Sequence, residues 1–316
     1  MRSRIAILFA SLLLVASCGG TGTAGPSTTA ATATTAAQPS QSASAFPTSV
    51  TDFQNRSVAI STRPERIVSI GPSNTEFLFA LGAGDRVVGA DDFSDEPAAA
   101  KTKEHVGGVK VNLEKVASLR PDLIVTVKFS DGTIAALTQL GAAVLVVDPQ
   151  GLPDVAKTAI LLGQAVGADG HALAAGIQKQ IDAVAAKTQS AAKPRVFHEV
   201  DASDLAKMYT AGPGSFINDL ITVAGGTNIA AAAKTAYPTI SAEEVVRADP
   251  EVIVLGDAAY GTTVAAVIAR PGWSALSAVK NKKVFEVSGN LFSRPGPRVG
   301  LAAEAYAKLV HPELFR

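Results

Sequence analysis

The chain has 316 residues, and its 28 Lys and Arg side chains balance 28 Asp and Glu side chains. With 47% hydrophobic and 18% charged residues it has ample material for packed cores. Its neutrality excludes the broad positive field with which proteins gather nucleic acid or anionic membranes. The only cysteine, Cys18, excludes an internal disulfide and a cysteine-built zinc site.

The chain begins with a targeting segment. Two arginines precede an apolar run over residues 5–16, which is too short to span a bilayer. Small residues then lead to Cys18, and this order resembles the lipobox of bacterial lipoproteins, in which the cysteine is acylated. The resemblance implies an extracytoplasmic protein that is lipid-anchored to the cell membrane, at the cell surface or in the periplasm. The alternative is an ordinary secretory signal with a cysteine placed by chance.

Residues 19–52 consist mostly of Gly, Ser, Thr, Ala and Pro, a composition that has nothing to bury. It predicts a flexible tether of about 35 residues with a reach of roughly 35 Å. The predicted organisation is a signal peptide (1–17), a lipidated disordered tether (18–52), an N-terminal α/β lobe (53–150), connecting helices that include an inter-lobe spine (151–192) and a C-terminal α/β lobe (193–316).

After the tether, strand and helix patterns alternate. Residues 66–70 form a continuous apolar run, which is typical of a parallel strand covered on both faces. Ser73 and Glu76 then make a capping-box pattern that predicts a helix over 77–81. Similar strand-and-helix units recur toward the C-terminus. Between the first set of units and the second, apolar residues at helical spacing over 173–188 predict a long helix. The sequence therefore predicts two α/β lobes with mainly parallel sheets.

Two segments, one from each lobe, can be laid over each other. In residues 112–126 and in residues 241–255, a glutamate in the first turn of a predicted helix lies seven residues before a proline that leads into a buried strand. These glutamates are Glu114 and Glu243. Any α/β unit that caps a helix and ends it with proline gives this pattern. The alternative is that two similar lobes each present one acidic residue at a corresponding helix start, where the helix dipole favours it.

Motifs along residues 63–312 resemble the substrate-binding proteins of ABC importers for iron-siderophores, heme and vitamin B12, and most closely the vitamin B12 group. They occupy residues 66–76, 92–97, 106–108, 112–114, 211–216, 224–228, 241–243 and 270–273. The resemblance implies the class III, helical-backbone architecture of periplasmic binding proteins: two three-layer α/β lobes joined by a single long helix, with the ligand in a shallow cleft. It also implies that Glu114 and Glu243 enter arginine pockets on a permease dimer that works with ATPase subunits, and that the protein is a monomer.

The ligand that the resemblance implies is a small-molecule metal chelate. Phe93 and Tyr237 match aromatic positions that flank the corrin in vitamin B12 binders, which favours cobalamin. If Lys128, Arg294 and Arg298 line the cleft, they make part of it cationic and favour a ferric siderophore instead. The alternative is that these three side chains are solvated or are paired with nearby acids.

Tyr209 ends a strand-like stretch and belongs either to the cleft or to the core. Heme is a further alternative, for which His105 and Tyr237 are the conceivable axial ligands. In each case the chelate is cargo, and no prosthetic group is expected.

Catalysis and a bare metal site are not supported by any motif. The sequence contains no nucleophile elbow, no phosphate-binding loop and no paired-histidine zinc motif. We therefore predict no catalytic residues and no metal ligands. A hydrolase built on the same two lobes is the alternative from a different functional class.

Overall fold

The computed structural model describes residues 46–287 and 289–315. Cys18, the signal peptide and the first part of the predicted tether lie outside the described residues. Among the helices that are described, none combines the length and the apolar composition that crossing a bilayer requires.

The strands are short and fall into three sheets. In chain order they are β1 (Thr48–Thr51), β2 (Ser57–Ile60), β3 (Ile67–Ile70), β4 (Val87–Ala90), β5 (Glu104–His105), β6 (Leu123–Thr126), β7 (Ala143–Val146), β8 (Arg195–Asp201), β9 (Met208–Thr210), β10 (Thr227–Asn228), β11 (Thr239–Ile240), β12 (Val252–Leu255) and β13 (Val284–Glu286).

The helices lie mostly between consecutive strands. They are α1 (Pro72–Ala80), α2 (Leu113–Ser118), α3 (Thr133–Thr138), α4 (Leu152–Val166), α5 (Gly170–Thr188), α6 (Phe216–Val223), α7 (Ala242–Ala248), α8 (Val264–Ile268), α9 (Ser277–Lys280), α10 (Gly289–Ser293) and α11 (Val299–Val310).

The first-lobe sheet is parallel throughout, in the order β5-β4-β3-β6-β7. The second-lobe sheet has the order β11-β9-β8-β12-β13, with β10 also beside β8. There β10, β12 and β13 run parallel to their neighbours, whereas β9 is antiparallel to β8 and β11 is antiparallel to β9. The predicted fold class of two α/β lobes with mainly parallel sheets is confirmed.

One apolar core runs through both lobes. It contains Phe77 of the first lobe, Ile221 and Tyr306 of the second, and Leu162 of the connecting segment. The connection consists of α4 and α5; α4 packs against β1, α1 and α6, whereas α5 packs against α4, α6 and α11. Because both lobes bury side chains in this shared core, the connection holds them against each other.

Two local predictions need correction. The folded region begins before residue 53, because β1 and β2 form an antiparallel hairpin and the buried Asp52 accepts hydrogen bonds from the Arg56 side chain. Helix α1 begins at Pro72 and not at residue 77, with Gly71 as N-cap and no side-chain cap. Glu76 therefore lies inside the helix, and its carboxylate is free to make the contacts with the second lobe described below.

Candidate functional site

A cavity of about 620 Å³ opens between the two lobes. Its first-lobe wall comes from the loops that follow β3, β4, β6 and β7, which are the carboxyl ends of parallel strands, where α/β sheets usually bind ligands. The first lobe contributes Gly71, Pro72, Ser73, Asn74, Asp92, Phe93, Asp95, Val127, Asp148, Pro149 and Gln150, and the second contributes Phe216, Tyr237, Tyr260, Asn290, Ser293, Arg294 and Pro295.

Three aromatic side chains that line this cavity are exposed to solvent. Phe93, 53% exposed, lies on the first lobe, and Tyr237, 45% exposed, faces the same cavity from the second. Burial raises the pKa of the Tyr237 phenol, so it stays protonated at neutral pH. Tyr260 is 92% exposed and was missed by the sequence analysis. Its position could have indicated a role in the cleft, because this aromatic residue lies five positions after the end of a fully buried strand, β12.

A buried hydrogen-bond network fixes the loop that carries Phe93. One carboxylate oxygen of Asp91 accepts from the Phe93 backbone N–H at 2.9 Å, and the other accepts from the Gly71 N–H and the Ser94 hydroxyl, both at 2.7 Å. The Ser94 and Thr75 hydroxyls lie 2.8 Å apart. The motif around residue 92 thus holds an exposed ring on a rigid support.

Arg298 and Arg294 both reach across to the first lobe. Arg298 makes a two-point ion pair with Glu76, with Nε–Oε2 at 2.8 Å and a second nitrogen at 2.7 Å from Oε1. Glu76 is 4% exposed, and this pairing raises the pKa of Arg298. Arg298 does not line the cleft. Its guanidinium serves the contact between the lobes.

Arg294 belongs to both the cleft and the inter-lobe contact. It pairs with Asp95 and donates to the Phe93 carbonyl at 3.0 Å, while Asn290 donates to Asp95 at 2.7 Å. Although burial opposes it, the Arg294 guanidinium lowers the pKa of Asp95. Among the residues that line the cavity Arg294 is the only cation, and its charge is already compensated.

The electrostatic balance of the cleft is acidic. Asp92, Asp95 and Asp148 line it together with one arginine. Burial raises the pKa of Asp148, while the nearby Lys128 opposes that rise. Lys128 itself is exposed and does not line the cavity. Of the two alternatives for these cations, this lining favours the one in which they are solvated or paired with acids.

Neutral polar atoms complete the floor of the cavity. Asn74 is buried and donates through its amide nitrogen to the carbonyls of Ile70 and Val147. Its oxygen has no hydrogen-bond partner within the part of the chain that the structure describes. This oxygen is itself buried, so Asn74 supports the cavity wall through its amide nitrogen and is not shown to face a ligand.

The remaining predicted residues lie outside the cavity. Tyr209 is 48% exposed on β9 and does not line it. His105 pairs with Asp92 at 3.1 Å but is not a lining residue, and no histidine lines the cavity as described. No group of three metal-binding side chains occurs among the described residues. Trp273 is fully buried beneath Arg270 and beside Phe197, so it belongs to the scaffold.

Glu114 and Glu243 occupy equivalent places on the two lobes. Each is the second residue of a short helix, α2 or α7, and each side chain is exposed. Asn112 caps α2, and Ser241 caps α7 as part of a full capping box. Both helices start at the carboxyl edge of their sheet, the edge on which the cleft opens.

The model of the periplasmic binding protein family matches residues 67–291. The chain belongs to this family. It is 35% identical to an uncharacterized ABC transporter substrate-binding lipoprotein of Bacillus subtilis, over 87% of this chain and 89% of that protein.

Two further similarities concern proteins with named ligands. A cobalamin-binding protein of Halobacterium salinarum is 32% identical over 92% of this chain and 81% of its own length. The solved structure of a periplasmic heme-binding protein from Roseiflexus superposes with a TM-score of 0.71 at 25% identity, covering 79% of this chain and 99% of that one. This chain is thus a binding protein and not an enzyme, as the sequence indicated.

Proposed function

We propose that this chain is the lipid-anchored binding component of an ABC importer for corrinoids, and that cobalamin or a close analogue lies between Phe93 and Tyr237. The observation that carries the proposal is the combination of aromatic walls with an acidic, amide-bearing lining. The corrin ring is large and flat, and its peripheral amide groups donate hydrogen bonds that carboxylate and amide oxygens accept. The relative from Halobacterium supports the same ligand class.

The charges of the cleft argue against the two other chelates. A catecholate ferric siderophore is strongly anionic and needs uncompensated cations, whereas Arg294 is paired with Asp95 and Arg298 with Glu76. Heme needs an axial ligand, and among the residues that line the cavity only the phenols of Tyr237 and Tyr260 could supply one. Arg294, the one cation of that lining, is paired with Asp95 and so is not available to stabilise a phenolate.

Glu114 and Glu243 are proposed to dock the protein onto the permease. Both carboxylates are exposed and lie on the side of the molecule where the cleft opens, one on each lobe. Arginine pockets on a two-fold symmetric partner would engage both at once and place the cleft mouth over the translocation path. Cys18 would hold the protein at the membrane, and Cys18→Ala would release it into the medium or periplasm.

Calorimetric titration of the unlipidated Cys18→Ala chain tests the ligand. Cyanocobalamin, hemin and a ferric tris-catecholate are titrated into this protein and into its Phe93→Ala, Tyr237→Ala and Arg294→Ala variants. We expect cyanocobalamin to bind most tightly, with each aromatic truncation weakening it about tenfold through lost burial and stacking. Because Trp273 is buried away from the cleft, intrinsic fluorescence is a poor substitute for calorimetry.

Tyr209→Ala is the matched control, since Tyr209 has a similar exposure but does not line the cavity. It should leave the affinity within about twofold. If the catecholate binds most tightly and Arg294→Ala weakens it most, the proposed ligand class is wrong and the ligand is a siderophore. Tightest binding of hemin, accompanied by a tyrosinate absorption band that Tyr237→Ala or Tyr260→Ala removes, would make the protein a heme carrier.

A further inference from the structure

The two proposed docking helices are held by the same set of side chains, spaced 129 positions apart. Arg66 at the start of the first central strand corresponds to Arg195 at the start of the second, as Glu114 corresponds to Glu243. The strand pairing repeats with the same offset: Ile67 opposes Leu123 in one lobe, and the residues 129 positions later oppose each other in the other lobe.

In the first lobe, Arg66 binds the C-terminal end of α2. Its Nε donates to the Leu119 carbonyl at 2.9 Å and to the Arg120 carbonyl at 3.2 Å, and a terminal nitrogen donates to Leu119 at 2.6 Å. The backbone N–H of Arg66 donates to Asp122, and Asp122 returns a backbone bond to the Arg66 carbonyl. The arginine thus ties the helix end to both strands.

The second lobe repeats this arrangement at α7. Arg195 donates through Nε to the carbonyls of Ala248 and Asp249, both at 3.0 Å, and through a terminal nitrogen to Asp249 at 2.8 Å. Its backbone N–H donates to Glu251, which returns a backbone bond to the Arg195 carbonyl. The residues that Arg195 contacts are therefore the counterparts, 129 positions later, of those that Arg66 contacts, although its terminal nitrogen donates to Asp249 where that of Arg66 donates to Leu119. Arg195 also forms ion pairs with the carboxylates of Asp249 and Glu251, at 3.6 and 3.3 Å.

The helices need such ties because they are very short. Helix α2 has six residues and α7 has seven, so few of their backbone groups are paired internally. A left-handed residue follows each helix closely: Arg120, two positions after α2, has φ of 46°, and Asp249, directly after α7, has φ of 43°. Because of this left-handed turn, the last carbonyl groups of each helix are not hydrogen-bonded along the helix axis. One guanidinium can therefore donate to two of them at once.

We propose that Arg66 and Arg195 are positioning residues for permease docking, which fix the direction in which Glu114 and Glu243 point. This inference rests on the proposed docking role of the two glutamates. The start of each helix is tied to a neighbouring segment by a backbone bond, from the Asn112 N–H to the Val106 carbonyl for α2 and from the Ala242 N–H to the Leu205 carbonyl for α7. The arginine ties the other end, so each helix is held at both ends. Two carboxylates on separate lobes then keep a constant spacing for a partner with two fixed pockets.

The test measures how the unlipidated chain stimulates the ATPase activity of its reconstituted permease complex. Arg66→Gln and Arg195→Gln should each raise, roughly fivefold, the concentration of binding protein that gives half-maximal ATPase stimulation. This is the effect of losing a hydrogen bond of ordinary strength. Lysine at either position should restore about half of the loss on a logarithmic scale, because it can donate to one carbonyl. Arg120→Gln and Arg247→Gln are the controls, since within the described residues these side chains make no hydrogen bond or ion pair.

A double-mutant cycle separates positioning from a general structural effect. Arg66→Gln should add nothing in a Glu114→Ala background, yet should retain its full effect in a Glu243→Ala background, because it acts through the glutamate of its own lobe. Arg195→Gln should show the reverse dependence. The positioning role would be overturned if each arginine substitution had the same effect on stimulation in the Glu114→Ala and the Glu243→Ala backgrounds. It would also be overturned if cyanocobalamin affinity fell in parallel with stimulation.

The same data distinguish failure of the inference from failure of docking. If Glu114→Ala and Glu243→Ala leave the half-maximal concentration unchanged, the docking role itself is wrong. If those two variants lose stimulation while both arginine variants match the wild type, docking stands and the positioning role is wrong.

Discussion

The two lobes are alike where they would meet a partner and different where they would meet a ligand. The central strand pairs and the helices α2 and α7 repeat at a constant offset of 129 residues, down to the arginine contacts. The cleft loops have no such correspondence, since Phe93 rests on a buried Asp91 network whereas Tyr237 and Tyr260 come from unrelated loops. A duplicated surface suits a two-fold symmetric receptor, and diverged loops suit an asymmetric ligand.

Removing both docking carboxylates should have the largest effect. Glu114→Ala with Glu243→Ala is expected to weaken stimulation of the permease ATPase at least roughly 1,000-fold, because two desolvated charge pairs, each of about 2 kcal/mol, are lost. Cyanocobalamin affinity should stay unchanged by calorimetry. Glu65→Ala, at the opposite edge of the first sheet, serves as the control. An equal loss of ligand affinity would place these glutamates in the binding site and break the division between the two surfaces.

Breaking the join between the lobes should cost the next largest amount. Glu76→Ala leaves Arg298 and the partly buried Arg294 without a shared carboxylate, which we expect to lower the free energy of unfolding by about 3 kcal/mol in urea titrations. Glu96→Ala is the matched control, because Glu96 makes no hydrogen bond among the described residues. Equal stability of the two variants would mean that the shared core alone joins the lobes.

Acid should reveal a difference between the lobes at one equivalent position. His198 is buried in the second lobe, where the first has Ser69, and burial lowers the pKa of His198 to about 4. As the pH falls, the His198 imidazole is protonated in the unfolded chain before it is protonated in the folded one. Its contribution to the free energy of unfolding is therefore fully present above about pH 6.5 and is lost as the pH drops toward 4.

The expected loss for the wild type between pH 7 and pH 4.5 is about 2 kcal/mol more than for His198→Gln. Urea titrations at the two pH values measure it, and the variant corrects for all other groups. His198 stacks on Tyr306 and lies 3.1 Å from its hydroxyl, so the variant is also expected to be less stable at pH 7. Parallel pH profiles for the two proteins would show that His198 titrates normally.

The smallest effect should come from loosening the support of Phe93. Ser94→Ala removes the hydrogen bonds to Asp91 and Thr75 without touching the cavity, and should weaken cyanocobalamin binding roughly fivefold. Thr102→Ala, which removes a surface hydroxyl, is the control. If Ser94→Ala binds as tightly as the wild type, the first-lobe aromatic does not depend on its rigid loop.

The sequence predicted the framework well because buried parallel strands produce continuous apolar runs. Strand β3 lies within the apolar run predicted over 66–70, and α5 covers the helix predicted over 173–188. The contacts of the arginines could not be predicted, since Arg298 and its partner Glu76 are 222 positions apart and local patterns carry no information about such pairs. The capping-box pattern was misleading because Pro72, an excellent first helical residue, starts α1 one turn earlier.

The inter-lobe ion pairs have a consequence for competition at the membrane. Both these ion pairs and the shared core are contacts between the chain's own residues, so the distance between Glu114 and Glu243 is set by the protein itself and not by its cargo. On the proposed docking role, the permease would therefore meet the same two carboxylates whether or not cargo is bound. Import should slow when binding protein greatly exceeds its cargo, because empty molecules occupy the receptor.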